Sequence, residues 1–274
     1  LLKRPNCSFL ICQQNNLSVS LERNYPYGAL RRWLKKRYMA WLYPKADHII
    51  AVSEGVKTDL VQSFNIPSSM ITPIYNSVDL ALIRKRSQSP AHYPWPRGQY
   101  QVILAAGRLV EQKGFSDLIR AFSQVRAKTL SKLVILGEGI SRGELEALVT
   151  SLNLEDDVYM PGFVDNPWAY MRDADLFVLS SYWEGFGNVI VEAMACGVPI
   201  IATDCDFGPR EIIQRGKNGI LVPVGDVSQL ASQTVRLLSS AAERQRLSEA
   251  GLKRARDFDG LKTCREYEQV FDRF

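Results

Sequence analysis

An α/β architecture of mostly parallel sheets covered by helices, its first unit only partly present, is predicted by three features of this 274-residue chain. Short apolar runs alternate with segments of helical period, and glycine-bearing loops follow several of those runs. A stretch rich in charge and proline, 84–99, separates a short series of such units from a longer one. Alternation at this spacing requires crossover helices, and crossover helices bury both faces of a parallel sheet. With 46% hydrophobic residues the chain can build one or two real cores.

In the first series, Phe9–Cys12 reads as a strand, Gly28–Tyr43 as a helix and His48–Val52 as a strand. Glu54–Phe64 follows as a helix capped by Ser53, and Met70–Tyr75 as a further strand. The segment 84–99 has no usable period and reads as a linker. Strands are then expected near 102–106, 132–136, 157–160, 175–180, 199–203 and 220–222. Helices are expected between and after them, at 114–127, 142–152, 167–172, 187–196, 209–214 and 227–238. Two more helices fill 241–272, broken at Asp259-Gly260. The expected division is a partial N-terminal domain (1–83), the linker (84–99), a C-terminal domain (100–255) and a final helix (256–274) packing back on the N-terminal part.

Lys and Arg exceed Asp and Glu by 34 to 29, a formal net charge of +5 that favours an anionic ligand or surface mildly. With no zinc finger, aromatic single-strand platform or long basic tract, nucleic acid is not an expected partner. Five cysteines form no CxxC pair, which suits a reducing compartment. No apolar run is long enough to cross a bilayer, and Leu1-Leu2-Lys3-Arg4-Pro5 has no signal-peptide core behind it. A start at Leu directly before a strand points to a piece of a longer protein.

The most informative stretch is Glu184-Gly185-Phe186-Gly187-Asn188-Val189-Ile190-Val191-Glu192, two carboxylates and two glycines where a buried strand gives way to a helix. The crest of an open α/β sheet is where its ligand sits, and the glycines allow backbone N–H groups at a helix start to approach an anion. Glu192 falls about two turns into an apolar helix, where a carboxylate requires a partner. In Gly107-Arg108-Leu-Val-Glu-Gln-Lys113-Gly114 a guanidinium and an ammonium follow a strand end, the charges a diphosphate needs. Gly137-Glu138-Gly139 is a third such loop, short of a dinucleotide fingerprint, and direct ligand contact and a sharp turn both explain its glycines. Asp173-Ala-Asp175 reads as a helix end and a strand start rather than a metal pair, and two distant histidines build no metal cluster. No serine has a nucleophile elbow with a histidine base.

Taken in order, Gly107-Arg108-x4-Lys113-Gly114, Gly137-Glu138-Gly139, Gly162-Phe163-Val164, Ser180-x3-Glu184-Gly185-Phe186-Gly187-x4-Glu192-Ala193-x3-Gly197-x-Pro199 and Gly219-x2-Val222 resemble the retaining glycosyltransferases of the "glycosyl transferases group 1" class, glycosyltransferase family 4, of GT-B fold. Ala51-Val52-Ser53-x4-Thr58 and Tyr75-Asn76-x-Val78-Asp79 resemble the end of that family's acceptor domain. The resemblance implies that Arg108 and Lys113 grip the donor diphosphate, that Glu184 meets the transferred sugar, and that Glu192 holds the ribose hydroxyls. It implies a nucleotide-sugar surface running over Gly137, Gly139, Phe163, Val164, Gly185, Phe186, Gly187, Asn188 and Val189, with no metal and no cofactor. The physics agrees: charge developing on the leaving phosphate is met by preorganised cations and helix N–H groups. The family's N-terminal glycine-rich loop would precede residue 1 and neither His48 nor His92 matches its acceptor-domain histidine, so the donor half of the site is expected complete and the acceptor half not.

Cys205-x-Phe207-Gly208-Pro209-Arg210-Glu211 resembles a stretch of family members that build surface polysaccharides and lipid-linked oligosaccharides from UDP-hexoses or UDP-N-acetylhexosamines, which implies a UDP-sugar donor and a saccharide or lipid-linked acceptor. Arg210 either faces the donor or caps a carboxylate. Leu30, Trp33, Leu34, Tyr38, Trp41 and Leu42 share one side of a helix flanked by Arg31, Arg32, Lys35 and Lys36. Such a helix lies on an anionic membrane, at the inner face of the cytoplasmic membrane for a cytoplasmic enzyme, or else packs on the sheet with a solvated basic edge. Two rivals remain: a nucleotide-sugar 2-epimerase of the same fold, which would interconvert UDP-sugars without an acceptor, and a non-catalytic module that would bind UDP-sugar and release no product.

Overall fold

The computed structural model describes residues 7–24, 28–96 and 98–274, so the start at Leu1–Pro5 and Arg97 of the linker lie outside the described residues. In chain order the first part contains β1 (Leu10–Gln13), α1 (Leu17–Asn24), α2 (Ala29–Leu42), β2 (His48–Ala51), α3 (Glu54–Phe64), β3 (Ile71–Pro73) and α4 (Leu80–Arg86). The second contains β4 (Gln101–Ala106), α5 (Phe115–Arg126), β5 (Ser131–Leu136), α6 (Arg142–Ser151), β6 (Val158–Gly162), α7 (Pro167–Asp173) and β7 (Leu176–Leu179). It continues through α8 (Asn188–Ala195), β8 (Ile200–Thr203), α9 (Pro209–Ile212), β9 (Ile220–Val222), α10 (Val227–Leu238), α11 (Ala241–Ala255) and α12 (Gly260–Phe271).

Among the described residues the strands form a three-stranded parallel sheet, β1-β2-β3, and a six-stranded parallel sheet, β6-β5-β4-β7-β8-β9. Strand order reverses between β4 and β7, and such a switch point opens a crevice at the carboxyl ends of the two strands. Period-two alternation splits β4 between two cores: Ile103 and Ala105 pack under α5, α6 and α10, whereas Val102, Leu104 and Ala106 face α7 and α8. The second core runs without a break into Ile49 and Ala51 of the first sheet and Val56 and Leu60 of α3, so the two halves share buried surface.

Ser53 caps α3 as its position predicts, its hydroxyl accepting from the Val56 N–H at 3.1 Å. The segment expected as linker is shorter at its start, because Asp79 caps α4 through the Leu82 N–H (2.8 Å) and carries the helix to Arg86. Beyond it, Tyr93 meets Tyr170 edge-on and Trp95 packs against Tyr100 and Tyr159, so aromatic side chains fasten this irregular segment to the second sheet's helices and strands. At the other end, Val270 of α12 packs with Ile50 of β2 and Ile74 just beyond β3, and Val78 N–H donates to the Phe258 carbonyl at 3.0 Å.

No residue of α2 is buried. Leu30, Trp33, Leu34, Tyr38 and Trp41 are all more than half exposed, whereas Met39 and Ala40 on the same helix pack against the core, so the helix docks by one side and leaves its aromatic row to solvent. No helix of the described residues is long and apolar enough to cross a membrane.

Candidate active site

The loops leaving β4 and β7 flank the switch point and are stitched together by backbone acceptors. Ser180 donates its hydroxyl to the Lys113 carbonyl (2.8 Å), Tyr182 N–H to the Gln112 carbonyl (2.8 Å), and the Gln112 amide to the Trp183 carbonyl (2.8 Å). This lacing sets Lys113 Nζ 2.5 Å from Glu184 Oε1, and the same oxygen accepts from the Ser181 hydroxyl at 2.7 Å. Glu184 is buried, so the ammonium and the hydroxyl supply what desolvation of its carboxylate demands. Arg108 projects from the same crest and is exposed.

Two cavities meet there. The larger, of about 420 Å³, is lined by Arg108, Lys113, Glu184, the backbone turn Gly185–Val189 and Glu192. The smaller, of about 290 Å³, is walled by Leu136, Gly137, Glu138, Phe163 and Val164; Ala106, Gly107, Arg108 and Pro167 line both. Of the residues singled out from the sequence, Arg108, Lys113, Gly137, Phe163, Val164, Glu184, Gly185, Phe186, Gly187, Asn188, Val189 and Glu192 line one or both cavities.

Gly139, expected in the nucleotide-sugar surface, lines neither cavity. A Cβ there would stand 2.2 Å from the Leu109 carbonyl oxygen, so this glycine is required for close packing of two loops. Arg210 also lines neither; it pairs with Asp204 at 3.0 Å, settling its open alternatives in favour of a capped carboxylate.

Glu192 finds its partner in Trp168, whose indole N–H donates to Oε2 at 3.0 Å. Burial pushes this carboxyl above the ordinary glutamate range, against the pull of the indole hydrogen bond. Burial, with the Glu184 charge nearby, pushes the Cys205 thiol up to about 12, which leaves it inert as a nucleophile. No group of three or more potential metal ligands occurs among the described residues.

Sequence reasoning missed the wall contributed by the first half: Gln14, Asn15 and Asn76 line the larger cavity, and the Asn76 amide donates to Asn188 Oδ1 at 3.0 Å. A Cβ on Gly185 would stand 2.2 Å from the Gln14 carbonyl oxygen, so the approach of the two halves passes through that glycine. Ser181 and Trp168 were missed as well. Ser181 sits three residues before Glu184, a spacing that could have flagged it, whereas nothing local ties Trp168 to Glu192.

The sequence profile of "Glycosyl transferases group 1" matches residues 93–254, spanning both cavity-forming loops and α8. The chain belongs to this family. Residues 11–82 match "Glycosyltransferase Family 4". Among curated relatives of this group 1 glycosyltransferase is the Campylobacter jejuni N-acetylgalactosamine-N,N'-diacetylbacillosaminyl-diphospho-undecaprenol 4-alpha-N-acetylgalactosaminyltransferase, 36% identical over 273 residues, 97% of this chain and 73% of that one. The Escherichia coli lipopolysaccharide 1,6-galactosyltransferase is 32% identical over 189 residues, 67% of this chain and 50% of that one. The solved structure of Anabaena HepE in complex with UDP-glucose superposes with a TM-score of 0.84 at 23% identity, over 97% of this chain and 72% of that chain. The paired Rossmann-like sheets are those of the GT-B fold, and the chain is a glycosyltransferase.

Proposed function

We propose that this glycosyltransferase moves a hexose or N-acetylhexosamine from a UDP-sugar to a saccharide or lipid-linked saccharide, with retention of configuration and without a metal, in surface polysaccharide or glycolipid synthesis. The observation that carries the reading is the Lys113–Glu184 pair lining the larger cavity, with Arg108 common to both cavities. The mostly apolar smaller cavity suits a uracil beside Phe163 and Val164, with Gly137 at its floor. The diphosphate then lies over Arg108, Lys113 and the backbone of Gly187, Asn188 and Val189 at the start of α8, and Glu192 accepts from the ribose hydroxyls.

As the bond from the anomeric carbon to the diphosphate breaks, negative charge grows on the leaving oxygen and positive charge on the sugar ring. Lys113 pairs with Glu184 and lines the cavity assigned to the diphosphate, so in this reading one ammonium serves a carboxylate that faces the ring and the phosphate that departs from it. Gly185 and Phe186 border the sugar, and Gln14, Asn15 and Asn76 present uncharged amides able to hold hydroxyl groups across the cavity.

The C. jejuni relative's name specifies an α-linked N-acetylgalactosamine and a diphospho-undecaprenol acceptor, and the HepE structure holds UDP-glucose. The first supports a lipid-linked acceptor here and the second a UDP-sugar donor. The exposed aromatic row and basic flanks of α2, within 30–42, support contact with an anionic membrane at the cytoplasmic face. The division into an acceptor-side part (1–83), linker (84–99), donor domain (100–255) and returning helix (256–274) belongs to the same proposal. Saturation-transfer NMR with UDP-, GDP- and ADP-sugars tests the donor: binding is expected for UDP-sugars, and preference for a GDP- or ADP-sugar overturns the assignment. Release of UDP only when an acceptor is supplied separates transfer from epimerisation.

A further inference from the structure

Glu211 belongs to the second half of the chain, on the short helix α9, yet its side chain is spent entirely on the first half. Its two carboxylate oxygens accept from the backbone N–H groups of Glu54 and Gly55, each at 2.9 Å. Those are the first N–H groups of α3, where an anion is favoured by unsatisfied donors and by the helix dipole. The backbone of Glu211 is itself anchored: Arg254 donates to its carbonyl at 2.8 Å and to that of Ile212 at 3.1 Å.

The contact sits directly behind the donor loop. Ser53, the cap of α3, donates its hydroxyl to the Gly185 carbonyl at 2.9 Å, one residue from Glu184. Tyr75 of the first half stacks on Phe186 at 5.5 Å, and burial together with the Glu211 carboxylate pushes its phenol up, so it remains a neutral donor facing that carboxylate. Gly55 is pressed against Phe207, where a Cβ would stand 1.9 Å from the ring.

We infer that Glu211 is a positioning residue: a two-pronged clamp on the N-terminus of α3 that holds the first half, with its Gln14, Asn15 and Asn76 wall, against the donor loop carrying Glu184. It touches neither donor nor acceptor in the proposed site, because it lines neither cavity. The clamp makes the sugar site two-sided while leaving the nucleotide site, built by the second half, intact. The inference rests on the transferase reading above, and its test therefore has a readout that needs no turnover.

Hydrogen exchange on the full chain reports the clamp directly. In Glu211→Ala the amides of Glu54 and Gly55 are expected to exchange at least about tenfold faster, whereas the Val56 amide, held by Ser53, changes little. UDP affinity by calorimetry is expected to stay within about threefold, while transfer from UDP-N-acetylgalactosamine or UDP-glucose falls about ten- to a hundredfold in kcat. Glu211→Gln, which keeps one acceptor oxygen and the shape, should fall between. Gly55→Ala should reproduce the loss by wedging against Phe207, and Gly55→Ala combined with Phe207→Ala should recover activity relative to Gly55→Ala alone. Unchanged exchange at Glu54 and Gly55 in Glu211→Ala overturns the clamp, as does a loss of UDP affinity as large as the loss of turnover. A wild-type chain that binds a GDP- or ADP-sugar in preference to UDP-sugars overturns the donor reading instead, with the exchange experiment still deciding the clamp.

Discussion

Glu184 and Lys113 are held 2.5 Å apart, so neither acts alone, and their variants should fail in different ways. Glu184→Gln keeps the volume and the Ser181 contact but releases the ammonium, so UDP affinity is expected to be preserved or improved while turnover falls by a factor on the order of 10²–10⁴. Lys113→Ala strips a buried carboxylate of its partner, so UDP affinity, turnover and thermal stability should all fall together. Calorimetric UDP titration beside a product assay and a melting curve checks both; equal loss of UDP affinity in the two variants would place the phosphate elsewhere. Glu192 makes a pH prediction. Burial raises its pKa in the free enzyme, and ribose hydroxyls prefer to donate to the ionised form, so binding lowers that pKa again. Affinity for a UDP-sugar, whose diphosphate is fully ionised throughout, should therefore be flat near neutrality. It should weaken as pH falls through the raised pKa toward 4.5, by up to about tenfold per unit. Titration of Glu192→Gln should lose that acidic limb; a limb that persists in the variant assigns the titration to another group.

At the scale of single elements, α2 carries the sharpest test. Its apolar row is solvent-exposed, so replacing Trp33, Tyr38 and Trp41 by Ser should change stability by no more than about 1 kcal/mol. The same change should abolish co-sedimentation with anionic liposomes at low salt, and raising the salt should release the wild type. Equal sedimentation of the two proteins would remove the helix from any membrane contact. Elements with local signals were the legible ones: α3 was readable from Ser53 and its bounds coincide with those observed, and α10 runs over Val227–Leu238 as its period predicts. Helix α1 went unread although Asn16 accepts from the Val19 N–H (3.0 Å), because its apolar residues are few and a second cap is distant. The Asp59 carboxylate of α3 accepts from the Leu17 and Ser18 N–H groups, across some forty residues of sequence. The site divides on the same line. Glycines, cations and carboxylates at strand ends disclosed the donor-side lining, whereas the Gln14–Asn15–Asn76 wall is set by how the halves approach and leaves no local pattern.

Across the whole molecule the two sheets are joined by more than the Glu211 clamp. The core that buries Ile49 and Leu60 of the first half continues through Phe177 and Ile190 of the second. Phe186, Tyr75 and Phe258 form a three-ring cluster with centroids 5.5–5.8 Å apart, drawing on the donor loop, the first half and the turn before α12. A boundary crossed by this much apolar contact should not melt separately, because opening it exposes core from both sides. Calorimetry is accordingly expected to show one transition whose measured enthalpy equals its van't Hoff enthalpy. UDP present at about a hundred times its dissociation constant should stabilise the native state by about 2.7 kcal/mol and move that entire transition upward by several degrees. Two resolved transitions, of which UDP shifts one, would mean that the shared core does not couple the halves; the first sheet would then be presenting its amide wall to the donor loop through the Glu211 and Ser53 contacts alone.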